Sequence, residues 1–188
     1  MGLNEAIYPE PDYYEVSGPY NRLAVALGKF GNWGNAFGTA ALNGEATIAC
    51  TPVRDESCGA KCPYRYDCKA DGRVRFFYDS LSISLPKWTD YDKAKPEHKK
   101  AWDAMIKALT AHEHGHIDIY KEFEEEVTIS AFTSDCDGEK AIEAANVAWN
   151  KKTEDMLNKK ETENVRRHDA YDEKTKHGAT QGVDLPQI

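Results

Sequence analysis

Apolar residues change their spacing near residue 95. Before it they come in short runs broken by glycine and proline, the rhythm of strands and loops. Tyr13-Tyr14-Glu15-Val16-Ser17 reads as a strand stopped by Gly18-Pro19, and Asn21 to Phe30 as a short helix ended by Gly28 or Gly31. The glycine-rich stretch that carries Trp33 and Phe37 leads into a strand at Ala46-Thr47-Ile48-Ala49-Cys50. Arg73 to Tyr78 and Leu81 to Leu85 alternate like half-buried strands, interrupted near Asp79. From Pro96, well suited to a first helical turn, the stripe Trp102, Met105, Ile106, Leu109, His112, Glu113, His116, Tyr120, Phe123, Val127 keeps helical spacing. One long helix is the simplest reading, broken by Ser134-Asp135-Cys136-Asp137-Gly138. A second helix then shows Ile142, Ala145, Trp149 and Met156 on one face. A short turn between two helices predicts an antiparallel hairpin. Past Leu157 the stripe fades, and polarity alone reads the remainder as a frayed, solvated end.

These elements predict an α+β fold in one domain, 1–188. A small antiparallel β-rich half, 1–95, packs on a long helical hairpin, 96–188. At 188 residues the chain buries a core without needing staples. No apolar run reaches the length of a membrane span. With 24 basic against 32 acidic residues, net −8, nucleic acid is a poor partner, because counterion release needs a positive surface. Cys50, Cys58, Cys62 and Cys68 crowd together while Cys136 stands alone. Their spacing matches no zinc ribbon, so disulfides in an oxidising compartment are the better reading, and an odd count leaves at least one thiol over. The first residues, MGLNEAIYPEPDYYEV, have neither a basic start nor an apolar core, so no signal peptide is read there.

The chemistry sits on the first long helix. His112-Glu113-His114-Gly115-His116 is an HExxH motif. Residues four apart on a helix lie one turn above each other, so the two imidazoles converge on one ion while Glu113 flanks it. His114 lies on the opposite side and reads as solvent-facing. All three ionisable residues fall on the stripe that elsewhere faces the core, where polar groups need partners. A catalytic zinc takes three protein ligands. Spacing leaves the third open among Glu139, Glu143 and His177, the last reached if the chain folds back near Gly178.

Four motifs carry a resemblance over most of the chain: Tyr14-x-Val16-x-Gly18, Leu85-Pro86-x-Trp88, His112-Glu113-x-x-His116 and Tyr171-Asp172-x-x-Thr175-x-His177-Gly178. Together they resemble the bacterial family of predicted secreted zinc-dependent proteases, a domain of unknown function. The resemblance implies a zincin-like hairpin and an ordered polar tail. It favours His177 as third ligand with His112 and His116, Tyr171 as oxyanion donor, and Asp172 as an outer partner orienting a ligand imidazole. It further implies a Cys68–Cys136 disulfide and export to the periplasm or outside. The expected activity is peptide-bond hydrolysis in which zinc lowers the pKa of its bound water and Glu113 serves as general base, with Tyr171, or else His168, donating to the oxyanion. His98 and His168 otherwise read as surface residues. A peptide or protein substrate is expected, held as an added strand at the sheet edge. A non-catalytic zinc-binding module and a cell-wall amidase are the alternatives, and the oligomeric state is left open.

Overall fold

The computed structural model describes residues 8–187. Its fold is α+β: strand β1 (Asp12–Val16), helix α1 (Tyr20–Gly28), strands β2 (Asn35–Arg54) and β3 (Tyr64–Trp88), helix α2 (Pro96–Lys121), strand β4 (Glu125–Asp135) and helix α3 (Gly138–Thr175). One-turn 3-10 helices lie at Glu56–Cys58, Tyr91–Lys93 and Ala179–Gln181. The sheet runs β1-β3-β2, with β4 also paired to β3. It is mixed rather than antiparallel: β1 pairs parallel to β3, Asp12 opposite Ser84 through Val16 opposite Trp88, and β4 pairs antiparallel to it.

The chain divides into two compact units that cut across the boundary expected near residue 95. One contains the stretches up to Thr39, Tyr78–Glu122 and Asn164 onward. Its core joins Val16, Leu23 and Leu27 to Ile83, Leu85 and Trp88, and these to Trp102, Met105, Leu109 and Ile117 of α2. Pro96 opens α2 at a position where the missing amide hydrogen costs nothing. Two of the family-like motifs turn out to be scaffold. Trp88 Nε1 donates to Gly18 O at 3.0 Å, and the Tyr14 hydroxyl donates to Trp33 O at 2.6 Å.

Ala40–Phe77 and Phe123–Glu163 form the other unit. Here the helix expected to continue to Ser134 is replaced by β4, so α2 stops at Lys121. Val127, Thr128, Ile129 and Thr133 are β-branched, and Ile129 and Ala131 are buried on alternate positions of the strand. Pairing along Tyr66–Phe76 satisfies the β4 backbone. Trp149 of α3 is buried and donates from Nε1 to Ile129 O at 3.0 Å. The buried face of α3 here is Ala141, Ala145, Trp149 and Thr153, and Ile142 is exposed.

Disulfides also differ from expectation: Cys50 pairs with Cys68 and Cys58 with Cys136, leaving Cys62 as an exposed free thiol. The Cys68–Cys136 bridge is excluded by register. Cys68 lies opposite Thr133, so Cys136 is three residues farther along, roughly 10 Å at strand rise and beyond disulfide reach. Cys50 is instead 4.0 Å from Cys68, Cα to Cα.

α3 runs unbroken to Thr175, so the polar stretch past Leu157 is helix rather than a frayed end. Its buried hydroxyls are satisfied within the helix, Thr153 by Trp149 O and Thr175 by Tyr171 O.

Candidate metal centre

Three walls make the site, all within the first unit. α2 supplies His112, Glu113 and His116, each buried. Asn164, His168, Tyr171, Asp172 and Thr175 recur at spacings of three and four, so they share one face of α3. That face lies antiparallel along α2: Tyr171 stacks on His112, His168 stacks on His116, and Arg167 pairs with Glu122. Gly115 makes the approach possible, because a Cβ there would fall 3.0 Å from Tyr171 Cε1 and closer still to Oη and Cζ. The third wall is the segment entering β2. A Cβ on Gly34 would sit 2.5 Å from Glu113 Oε1, so glycine leaves room for the carboxylate, and the Ala36 amide donates to it.

His112 Nε2 lies 3.2 Å and His116 Nε2 3.0 Å from the same Asp172 Oδ1. These three donor groups lie within 4.8 Å of one another and could hold a metal ion. Asp172, expected as an outer partner, thus lies in the cluster with the two histidines. His177 does not join it: the side chain is 77% exposed and Nδ1 is 3.6 Å from Asp172 Oδ2. The cause is local. After α3 ends, Lys176 and His177 both take left-handed φ, 51° and 52°, and the chain turns away before Gly178. Glu139 and Glu143 are exposed residues of the other unit and take no part in the cluster.

Tyr171, expected as an oxyanion donor, packs against His112 of α2. Its hydroxyl donates to His112 O at 3.3 Å and accepts from Gln181 Nε2 at 3.1 Å, under the helix rather than toward the cleft. Gln181 Oε1 in turn lies 2.9 Å from His112 Nδ1. His168, read as a surface residue, is half-buried with Nδ1 2.8 Å from His116 Nδ1, and Asn164 stands 3.3 Å from its other nitrogen. His114 carries a stacked partner, Tyr8, whose hydroxyl donates to Asp118.

The electrostatics follow from burial. Burial, and after it the Asp172 charge, pushes the Glu113 carboxyl up to about 8, with the Ala36 amide opposing. Burial holds His116 below the ordinary imidazole range, and burial with His116 beside it takes His168 down to about 4. Neutral imidazoles keep a lone pair for a metal. The cleft over this cluster has a volume of about 540 Å³ and is lined by Trp33, Asn35, Glu113, Lys176 and His177 among others.

The family described as bacterial protein of unknown function (DUF922) matches residues 73–178, more than half the chain. The chain belongs to that family. The DUF922 match takes in β3 from Arg73, all of α2 and α3, and the turn through Gly178, and therefore all three cluster residues. Gln181 lies three residues beyond it. No curated protein and no solved structure matches the chain.

Sequence reasoning brought His112, Glu113 and His116 together but missed Gln181, Asn164 and Gly34. The 164-168-171-175 spacing was the one available signal, a helical stripe made of polar residues.

Proposed function

We propose that this chain is an exported zinc-dependent metallopeptidase whose metal is held by His112, His116 and Asp172. One observation carries the reading: the Nε2 atoms of two histidines one turn apart converge on one carboxylate oxygen. Zinc bonds of about 2.0–2.2 Å at tetrahedral angles separate donor atoms by roughly 3.3–3.5 Å, and the present separations are a few tenths of an ångström shorter. The donor types and the two histidine–carboxylate separations thus suit zinc, which His112, His116 and Asp172 would hold beside the cleft. Bound there, zinc supplies a Lewis acid for the scissile carbonyl and acidifies water.

The chain's own residues supply the rest. Glu113, beside the donors and desolvated, accepts a proton from water during attack and delivers it to the leaving amine. A carboxyl held at about 8 without metal becomes a working base as a cation beside it favours the ionised form. The Ala36 amide holds that carboxyl in place. Trp33 to Ala36 line the cleft with α2, so an extended peptide fits between them, paired with main chain at the start of β2. Lys176 and His177, on the cleft lining, meet substrate rather than metal. Two disulfides support an oxidising location.

The test combines metal analysis with a peptide-library digest. One equivalent of zinc and cleavage lost on chelation are expected. Glu113→Gln should keep the zinc and lose turnover by at least about a hundredfold. Zinc binding with no cleavage of any peptide, or full activity in Glu113→Gln, overturns the assignment.

A further inference from the structure

A histidine binds metal through one ring nitrogen only if the hydrogen sits on the other, so something must set the tautomer of His112. Direction can be read along a chain of hydrogen bonds that begins at a group of fixed polarity. The His112 carbonyl can only accept, so the Tyr171 hydroxyl, 3.3 Å away, donates its single hydrogen there. With that hydrogen used, the Tyr171 oxygen can only accept from the Gln181 side chain, which turns Gln181 Nε2 toward it at 3.1 Å. The amide oxygen of Gln181 then faces His112 Nδ1 at 2.9 Å and requires a hydrogen on that nitrogen. Reversing the array removes the Tyr171 bond to the helix carbonyl. The Asp172 carboxylate, 3.2 Å from Nε2, also only accepts and draws a hydrogen to that nitrogen, so the array sets Nδ1–H once a metal rather than a hydrogen occupies Nε2.

We infer that Gln181, working with Tyr171, is a positioning residue that accepts the Nδ1 hydrogen of metal-bound His112 and so holds Nε2 on the metal. Gln181 lies outside the stretch matched to the family, and its side chain touches neither the other donors nor the cleft floor. Its backbone is nonetheless pinned. Gln181 N donates to Gly178 O at 2.8 Å, and Thr180 Oγ1 donates to Thr175 O at 3.0 Å. Just beyond, Leu185 is buried in the core and the Tyr20 hydroxyl holds Pro186 O at 2.9 Å. At Gly178 a Cβ would come within 3.2 Å of His112 Cγ, so the turn passes directly against the ring it serves. An exposed glutamine thus has a fixed aim.

The inference rests on the metal reading above, and its test separates the two. With zinc bound, 15N–1H spectra show the His112 Nδ1–H directly: in wild type it should be shifted downfield and slowed in exchange by the Gln181 acceptor, and Gln181→Leu should lose both. Zinc affinity, measured by competition with a chromogenic chelator, should fall about 10- to 100-fold in Gln181→Leu. Gln181→Glu keeps an acceptor facing Nδ1–H and should recover most of that loss. A fast-exchanging Nδ1–H in zinc-bound wild type, or an unchanged affinity in Gln181→Leu, overturns the proposal. Failure of wild type to take up zinc would sink the metal reading and this inference with it, whereas zinc uptake indifferent to Gln181 sinks the inference alone.

Discussion

Gly115→Ala is the sharpest probe of how α3 delivers Asp172 to the site. In an exposed helix this change is favourable by about 1 kcal/mol, since alanine loses less backbone entropy. Here the new methyl group would fall 3.0 Å from Tyr171 Cε1 and nearer to Cζ and Oη, so the ring must withdraw. Overpacking of this kind costs about 1–3 kcal/mol. Withdrawal also breaks the hydroxyl's bonds to His112 O and Gln181, each worth about 1 kcal/mol. Against the propensity gain, the net expectation is a loss of about 2–4 kcal/mol. Urea denaturation of the metal-free protein measures it, and chelator competition measures the accompanying drop in zinc affinity as Asp172, one residue along, is displaced. Tyr171→Ala in the same chain should remove the clash, so the double variant is less destabilised than the sum of the singles. A Gly115→Ala protein more stable than wild type, with unchanged metal affinity, would refute the described packing of α3 on α2.

Stability of the metal-free protein should fall as pH rises from about 6.5 to about 8. Glu113 has a raised folded pKa, so the native state binds more protons than the unfolded one in that window, and its contribution is lost on going up. Below that window His168, depressed to about 4, acts in the opposite sense, its contribution growing as pH rises. Glu113→Gln should flatten the upper slope in pH-dependent denaturation, and an unchanged slope would count against the buried carboxyl as its source. The Cys58–Cys136 bridge spans 78 residues and Cys50–Cys68 spans 18. Paired serine substitutions should therefore cost roughly 4.5 and 3 kcal/mol, and peptide mapping that found Cys68 joined to Cys136 would reject the assignment outright. His168→Asn keeps an acceptor near the Nδ1 position and should hold zinc better than His168→Ala; equal affinities would remove His168 as a partner of His116. Lys176→Gly relieves a left-handed residue and should stabilise by about 0.5–1 kcal/mol in the same denaturation assay.

What was legible in the sequence follows from which interactions are local. HExxH could be read because helix pitch alone brings His112 and His116 together. The end of α2 could not, because Tyr120, Phe123 and Val127 keep helical spacing while Val127, Ile129 and Ala131 also alternate with a strand's period. The strand reading wins through pairing with β3, some fifty residues upstream, which no local pattern contains. The disulfides failed for the same reason: register opposite Thr133, not proximity in sequence, decides what Cys68 can reach.

The presence of Asp172 rather than His177 in the cluster shows a different obstacle. Asp172 and His177 are five residues apart, and both stand in the motif that carries the family resemblance. Choosing between them depends on two consecutive left-handed residues after Thr175, a conformation that neither Lys176 nor His177 advertises. Polarity alone misreads the end of α3, which the family resemblance reads as ordered, because the hydrophobic stripe is a proxy for burial and fails where a helix is buried against other polar groups. Asp172 meets the α2 histidines, Asn164 Nδ2 donates to the Tyr78 hydroxyl and Thr175 Oγ1 donates to the Tyr171 carbonyl, so this face finds polar partners in place of an apolar stripe. A helix face that is itself the site erases the pattern by which helices are recognised. Continuation of helical spacing in polar residues, here 164, 168, 171 and 175, is then the physical signature that remains.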